Sequence, residues 1–386
     1  MPRTFDITVV GAGVMGSATA WRLAKAGHRV QLLDQHAPGH GLGSSHGDSR
    51  IIRLAYDTPD YVALARAAFD LWRDLEAASG KTLMVQTGGL DFGRPDAEVL
   101  AEIEATYRAG RIPYERLDRQ AIASRFPQFR LPEDIIGLWQ ADYSVLAADD
   151  CVGTMATQAA RHGASVHYGE RVTAVKPNGD GVTIETDQAT YRSDRVVLTA
   201  GAWMRPLLHR LGLDLPLTVT RETVLYLAVT HPEWFVPGTF PLVIHRFPGN
   251  LSLGSFFPSF GHAGVKALID RVGDVVDPDD PDVAVRPSML ERIRAYAMDI
   301  LPDATGDVLW SGTCRYTMTP DEDFVIDLHP EHRSIVIASP CSGHGFKFAP
   351  IIGEILGELA VDGFTPRDIT RFRLGRPALS PPSVIA

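Results

Sequence analysis

The chain predicts an α/β fold, mixed in the α+β sense, with one domain assembled from separated pieces and a sheet-rich domain formed from the insertions between them. Three observations lead there. Val9-Val10-Gly11-Ala12-Gly13-Val14-Met15-Gly16 places three glycines at G-x-G-x-x-G spacing directly after an apolar run. Residues 165–200 return to short apolar segments with strand character. The stretch 215–262 is dense in Pro, Gly and aromatic residues, as short strands joined by turns are.

Taken in order, residues 5–10 read as a buried strand and residues 15–26 as a helix, which Gly27 stops from the C′ position. Arg29-Val-Gln-Leu-Leu-Asp34 is the next strand and completes a Rossmann-like β-α-β unit. A helix over 59–78 carries Val62, Ala65, Phe69 and Trp72 on one face, with Gly80 closing it. Helices follow at about 96–109 and 118–125, and another opens at Ala148-Asp149-Asp150 and runs to about 161. Strands are predicted at 165–168, 172–176, 182–186 and 195–200, the last ending in Gly201. A helix over 288–300 precedes the closing block, and a final helix over 349–361 begins at Ala349-Pro350, where proline suits a first turn. Residues 1–82, 148–214 and 310–386 are thereby assigned to the nucleotide-binding domain, and 83–147 and 215–309 to the second domain.

Composition bounds the function. At 386 residues the chain suits two domains, and 45% apolar with 22% charged residues is ordinary globular usage. The charge balance, 37 minus 47, gives -10, which argues against a nucleic-acid or anionic-membrane partner. Cys151, Cys314 and Cys341 are an odd number without metal-ligand spacing, so neither a disulfide framework nor a metal site is expected. The first residues read as a strand rather than a signal peptide, and no apolar run approaches the roughly 20 residues a bilayer requires. A cytoplasmic protein is expected.

The glycine spacing has a physical reading. Gly11 permits the tight turn, Gly13 lets a pyrophosphate approach the backbone, and Gly16 lets helix and strand pack closely. The helix start offers free N–H groups to the phosphates. Asp34, 23 residues after Gly11, stands where a carboxylate accepts hydrogen bonds from a ribose. The turn alone does not separate NAD from FAD. Val196-Val-Leu-Thr-Ala-Gly-Ala202 is a strand entering a second glycine turn, read equally well as a flavoprotein crossover or a core strand.

Five motifs occur in order: the glycine turn, Gly43-Ser-Ser-His-Gly-Asp-Ser-Arg-Ile-Ile-Arg53, Phe257-Pro-Ser-Phe-Gly261 with Lys266, Cys314-Arg-Tyr-Thr317, and Ser342-Gly-His-Gly-Phe-Lys347. Together they resemble the monomeric sarcosine oxidase and N-methyltryptophan oxidase family, a branch of the D-amino-acid-oxidase-type flavoproteins, over nearly the whole chain. The resemblance implies FAD, held covalently through a thioether from Cys314 to the flavin 8α-methyl. It implies a carboxylate clamp of Arg53 and Lys347, with Arg50 and His46 near the flavin ring, Lys266 at the oxygen site and Tyr316 near the substrate. Ser44, Val172, Gly201 and the Gly343-His344-Gly345 turn are implied cofactor contacts, His344 with a structural role as its rival. Arg315, next in sequence, is expected to lower the thiol pKa of Cys314. Cys341 stands where the family more often has an aromatic residue, which implies packing.

The implied reaction oxidises an N-methyl amino acid to an imine, hydrolysed to formaldehyde and the demethylated amino acid, with O2 reduced to hydrogen peroxide by a monomer. A cyclic imino acid such as proline or pipecolate, a fructosyl amino acid, and a dehydrogenase passing electrons to another protein are the alternatives. A non-catalytic flavin-binding protein is the reading from a different class. Two departures lie in the region of the amine pocket. Asp270 replaces the usual histidine, and Ser255-Phe256 replace the usual tyrosine and glycine.

Overall fold

A computed structural model of the protein describes residues 3–247 and 253–379. Residues 248–252, within the stretch expected to hold short strands, lie outside the described residues. The strand Arg3–Val10 pairs in parallel with Val30–Asp34 on one side and Thr190–Leu198 on the other. Between the first two runs the helix Val14–Lys25, and Gly27 follows it at φ 91°. That is the predicted β-α-β unit. Ser165–Tyr168, Val172–Asn178, Gly181–Thr186, Val325–Leu328 and Ile335–Ser339 complete an eight-stranded sheet. The helices Val14–Lys25, Ala148–Arg161 and Ala349–Asp362 cover one face of it, and Gly353 lets the last approach the Ala18 backbone.

A second sheet has nine strands, among them Gly89–Gly93, Leu242–Arg246, Leu253–Phe257 and Val265–Ile269. Its longest members, Thr218–Val229 and Ala304–Met318, pair antiparallel. The domain boundary expected at residue 310 falls inside Ala304–Met318, because this strand continues through Cys314 to Met318 as part of the second sheet. Three short strands, Ser49–Ile52, Met84–Gln86 and Ser144–Ala147, form a small third sheet.

Strand alternation gives the second sheet two different faces. Val243, Phe256, Val265, Ala267 and Ile269 join a core that includes Ile293, Ala297 and Ile300 of the helix Pro287–Ile300. Their neighbours Ile244, Arg246, Ser255, Phe257, Lys266, Leu268 and Asp270 line a cavity on the opposite face. Among the described residues no helix is long and apolar enough to cross a membrane. Nor do three or more His, Cys, Asp or Glu side chains converge there as a metal site would require.

Candidate active site

The cavity, about 560 Å³, runs from the glycine turn of the first sheet to the floor made by the second. Of the residues expected to act in catalysis or to hold the cofactor, all but Gly16 line it. Gly16 acts through packing: a Cβ there would collide with the Gly11 carbonyl. Gly11 has φ 99°, and a Cβ on it would lie 2.6 Å from the Thr199 carbonyl oxygen. The turn is therefore closed to any larger residue from both sides. Asp34 Oδ2 accepts from the Ala12 N–H at 2.7 Å and Oδ1 from the His36 N–H at 2.8 Å, so the carboxylate ties the second strand to the turn. Val14 N–H donates to Ser45 Oγ at 3.0 Å and brings the 43–46 segment against the helix start.

Arg50 braces that segment. Its guanidinium donates to the carbonyls of Ser44 and His46 at 2.8 Å and of Ser49 at 2.9 Å. His46 contacts the Thr313 carbonyl oxygen through Nε2 at 3.0 Å, and its buried Nδ1 has no partner among the described residues. Burial, with Arg50 beside it, takes this imidazole down to about 4, so it is neutral at pH 7. Lys266 Nζ donates to Ser49 O and Oγ, both at 3.0 Å, and lies 4.4 Å from the Phe257 ring centroid. Burial followed by the Arg50 charge lowers this ammonium to about 7.

Cys314 and Tyr316 face the cavity from alternate positions of one strand. Arg315, between them, points away. It donates to the carbonyls of Leu42, Pro278 and Asp280 and lies over Trp203. The expectation that Arg315 activates the thiol is therefore corrected by strand alternation. Burial raises the Cys314 thiol, and the opposing pull comes from Arg50 and Lys266. Tyr316 packs on Gly343, which has φ 76° and where a Cβ would stand 2.8 Å from the ring.

Arg53 directly follows the strand Ser49–Ile52, and Lys347 sits in the short 3-10 helix Phe346–Phe348. A strand end and a packed helical turn fix both more tightly than loops would. Arg53 is 7% exposed and its Nη1 has no partner among the described residues, while its guanidinium lies 4.5 Å from the Tyr56 ring centroid. Lys347 Nζ donates to Tyr56 Oη at 2.9 Å and to the His344 carbonyl. Burial, then the Arg53 charge, takes the Lys347 ammonium well below its ordinary value. His344 is packed among Tyr56, Tyr61, Phe324 and Phe348, with Nδ1 3.2 Å from Tyr56 Oη. Asp270 is held by Arg271 Nε at 2.9 Å.

Sequence reasoning missed Tyr56, Ser49, Arg246 and its buried partner Asp91. Arg246 had a signal. It occupies the cavity phase of Leu242-Val-Ile-His-Arg246, where strand alternation asks an observer to explain a charge on an inward face. Tyr56 and Asp91 had none, since their hydrogen-bond partners Lys347 and Arg246 are distant in sequence.

A model of the FAD dependent oxidoreductase family matches residues 6–359. The chain is 36% identical to monomeric sarcosine oxidase of Bacillus sp. (strain B-0618), with 98% of each chain covered. It is 32% identical to N-methyl-L-tryptophan oxidase of Salmonella arizonae, covering 96% of this chain and 99% of that one. Among solved structures it is similar to NikD, an unusual amino acid oxidase essential for nikkomycin biosynthesis, in its open form. That match has a TM-score of 0.85 and 30% identity and covers 96% of this chain and 97% of NikD.

Proposed function

Because the chain belongs to the FAD-dependent oxidoreductase family, we propose that it is an amine oxidase acting on an N-methyl amino acid. The observation that carries the substrate reading is the buried Nη1 of Arg53, without a partner among the described residues, in the same cavity as Lys347. A buried donor without an acceptor costs on the order of 1–3 kcal/mol, and a substrate carboxylate relieves it. Arginine adds a planar fork and lysine a compact charge, a pair suited to one carboxylate.

The residues fit FAD. The glycine turn and the first turn of the helix Val14–Lys25 suit a pyrophosphate, and the Asp34 carboxylate has lone pairs left for a ribose. Ser44, Val172 and Gly201 would hold the nucleotide half, with Gly343, His344 and Gly345 around the flavin. When bound, FAD supplies a two-electron oxidant that O2 regenerates with release of hydrogen peroxide. Cys314 is the proposed covalent anchor, its sulfur in the field of Arg50 and Lys266.

The remaining roles follow from charge and burial. The Arg53 guanidinium disfavours an ammonium beside it, as it does at Lys347, so bound substrate is driven toward the neutral amine that oxidation requires. Lys266, 5% exposed, offers a cation to oxygen as negative charge develops on it. Tyr316, braced on Gly343, closes the side of the cavity nearest Cys314. The conversion removes two electrons and two protons from the CH–NH unit, and water splits the imine into formaldehyde and the demethylated amino acid. The enzyme is proposed to work as a cytoplasmic monomer.

The test is a peroxide and formaldehyde assay in air with N-methyl amino acids, proline, pipecolate and a fructosyl amino acid. Equimolar peroxide and formaldehyde from the N-methyl compounds is expected. Should no amine bleach the flavin without oxygen, the oxidase reading is lost.

A further inference from the structure

Alongside Arg53 and Lys347, the guanidinium groups of Arg246 and Arg271 also line the cavity. Arg246 ends the strand Leu242–Arg246 and is 9% exposed. Its Nε and Nη2 donate to one oxygen of Asp91, at 2.9 and 2.6 Å, and the other oxygen of Asp91 accepts from Tyr143. The Asp91 carboxylate is thereby satisfied, and neither of the two Arg246 bonds to it uses Nη1. Arg271 is more fully used, with Nε on Asp270 and Nη1 on Glu322.

Ser255 stands on the adjacent antiparallel strand, opposite Ile244, and faces the same cavity. It is 4% exposed, and its side chain lines the cavity. Strand pairing with a two-residue step sets Arg246 and Ser255 diagonally on one face, within reach of one ligand group. Tyr56 lies in the field of both Arg53 and Arg246, and all three side chains line the cavity. A guanidinium kept only to neutralise Asp91 is poorly explained. Replacing a buried ion pair by apolar residues is often neutral or stabilising, so retaining it with a donor turned to the cavity favours a ligand role.

We infer that the substrate is a dianionic secondary amino acid, with its α-carboxylate on Arg53 and Lys347 and a second carboxylate or phosphonate on Arg246 and the Ser255 hydroxyl. This rests on the oxidase reading above and narrows its substrate class.

The test titrates FAD-loaded protein calorimetrically with succinate and glutarate against acetate and butyrate. The diacids should bind about 10- to 100-fold more tightly, as a charge-assisted contact provides. Arg246→Lys, which keeps a cation for Asp91, should remove most of that difference. Equal binding of diacids and monoacids overturns the inference even if the variant does not fold. Turnover then locates the second anion. A higher kcat/KM for N-methylaspartate or N-methylglutamate supports it on the side chain, and for iminodiacetate on the amine substituent. Preference for sarcosine or N-methylalanine overturns the inference while the oxidase reading stands. If no amine is oxidised the oxidase reading falls, and the diacid titration still decides the second-anion site.

Discussion

Cys314 and Arg315 are covalent neighbours that face opposite sides of one strand, the thiol into the cavity and the guanidinium onto the carbonyls of Leu42 and Pro278. The charge that tunes the thiol therefore comes from Arg50 and Lys266, which reach it through space.

Flavin attachment should follow that geometry. Wild-type protein precipitated in acid is expected to keep its yellow colour in the pellet, and Cys314→Ala to release it to the supernatant. Arg50→Met should slow attachment more than Arg315→Met, because thiolate formation depends on the nearer cation. Free flavin from the wild type would refute the anchor.

Lys266→Met should slow flavin reoxidation by about 10²- to 10³-fold, the scale of losing one preorganised charge donor, with little change in reduction. Stopped-flow measurement of the two half-reactions separates these effects. The pH dependence has a definite sign. With the ammonium lowered to about 7, the cation is present below pH 7 and lost above it, so wild-type reoxidation should weaken as pH rises through that value.

Arg53→Met should raise KM for carboxylated amines about 10- to 100-fold by removing a charge-assisted pair. Steady-state kinetics with an N-methyl amino acid checks this. An unchanged KM would move the carboxylate site elsewhere.

Gly343→Ala should destabilise the fold by roughly 1–3 kcal/mol, combining a positive φ with a Cβ against Tyr316. Urea unfolding measures the loss. In the double variant with Tyr316→Ala, the steric part should be recovered and the backbone part should remain.

Much of the nucleotide end was legible because it is local. Gly11, Gly13, Gly16 and Asp34 encode a turn, a close approach and a strand end within 24 residues. The second sheet was harder to read. Ala304–Met318 is hard to recognise as one strand because Gly306 and Gly312 interrupt it and its burial alternates weakly. Arg315 adjoins Cys314 in sequence and not in space, because the two-residue period of a strand sends neighbouring side chains to opposite faces of the sheet. The Arg246–Asp91 pair joins residues 155 apart in sequence, beyond the reach of any local pattern.

The two faces of the second sheet also bear on how this enzyme lineage changes. Odd and even positions of Leu253–Phe257 and Val265–Ile269 serve different masters, core on one side and ligand on the other. Point substitution at ligand-facing positions can redraw what is accepted without disturbing the helix packed behind. A one-residue insertion in either strand would exchange the two sets wholesale and present Phe256 and Ala267 to the substrate. Diversification here should proceed by replacement, with length held constant across these strands.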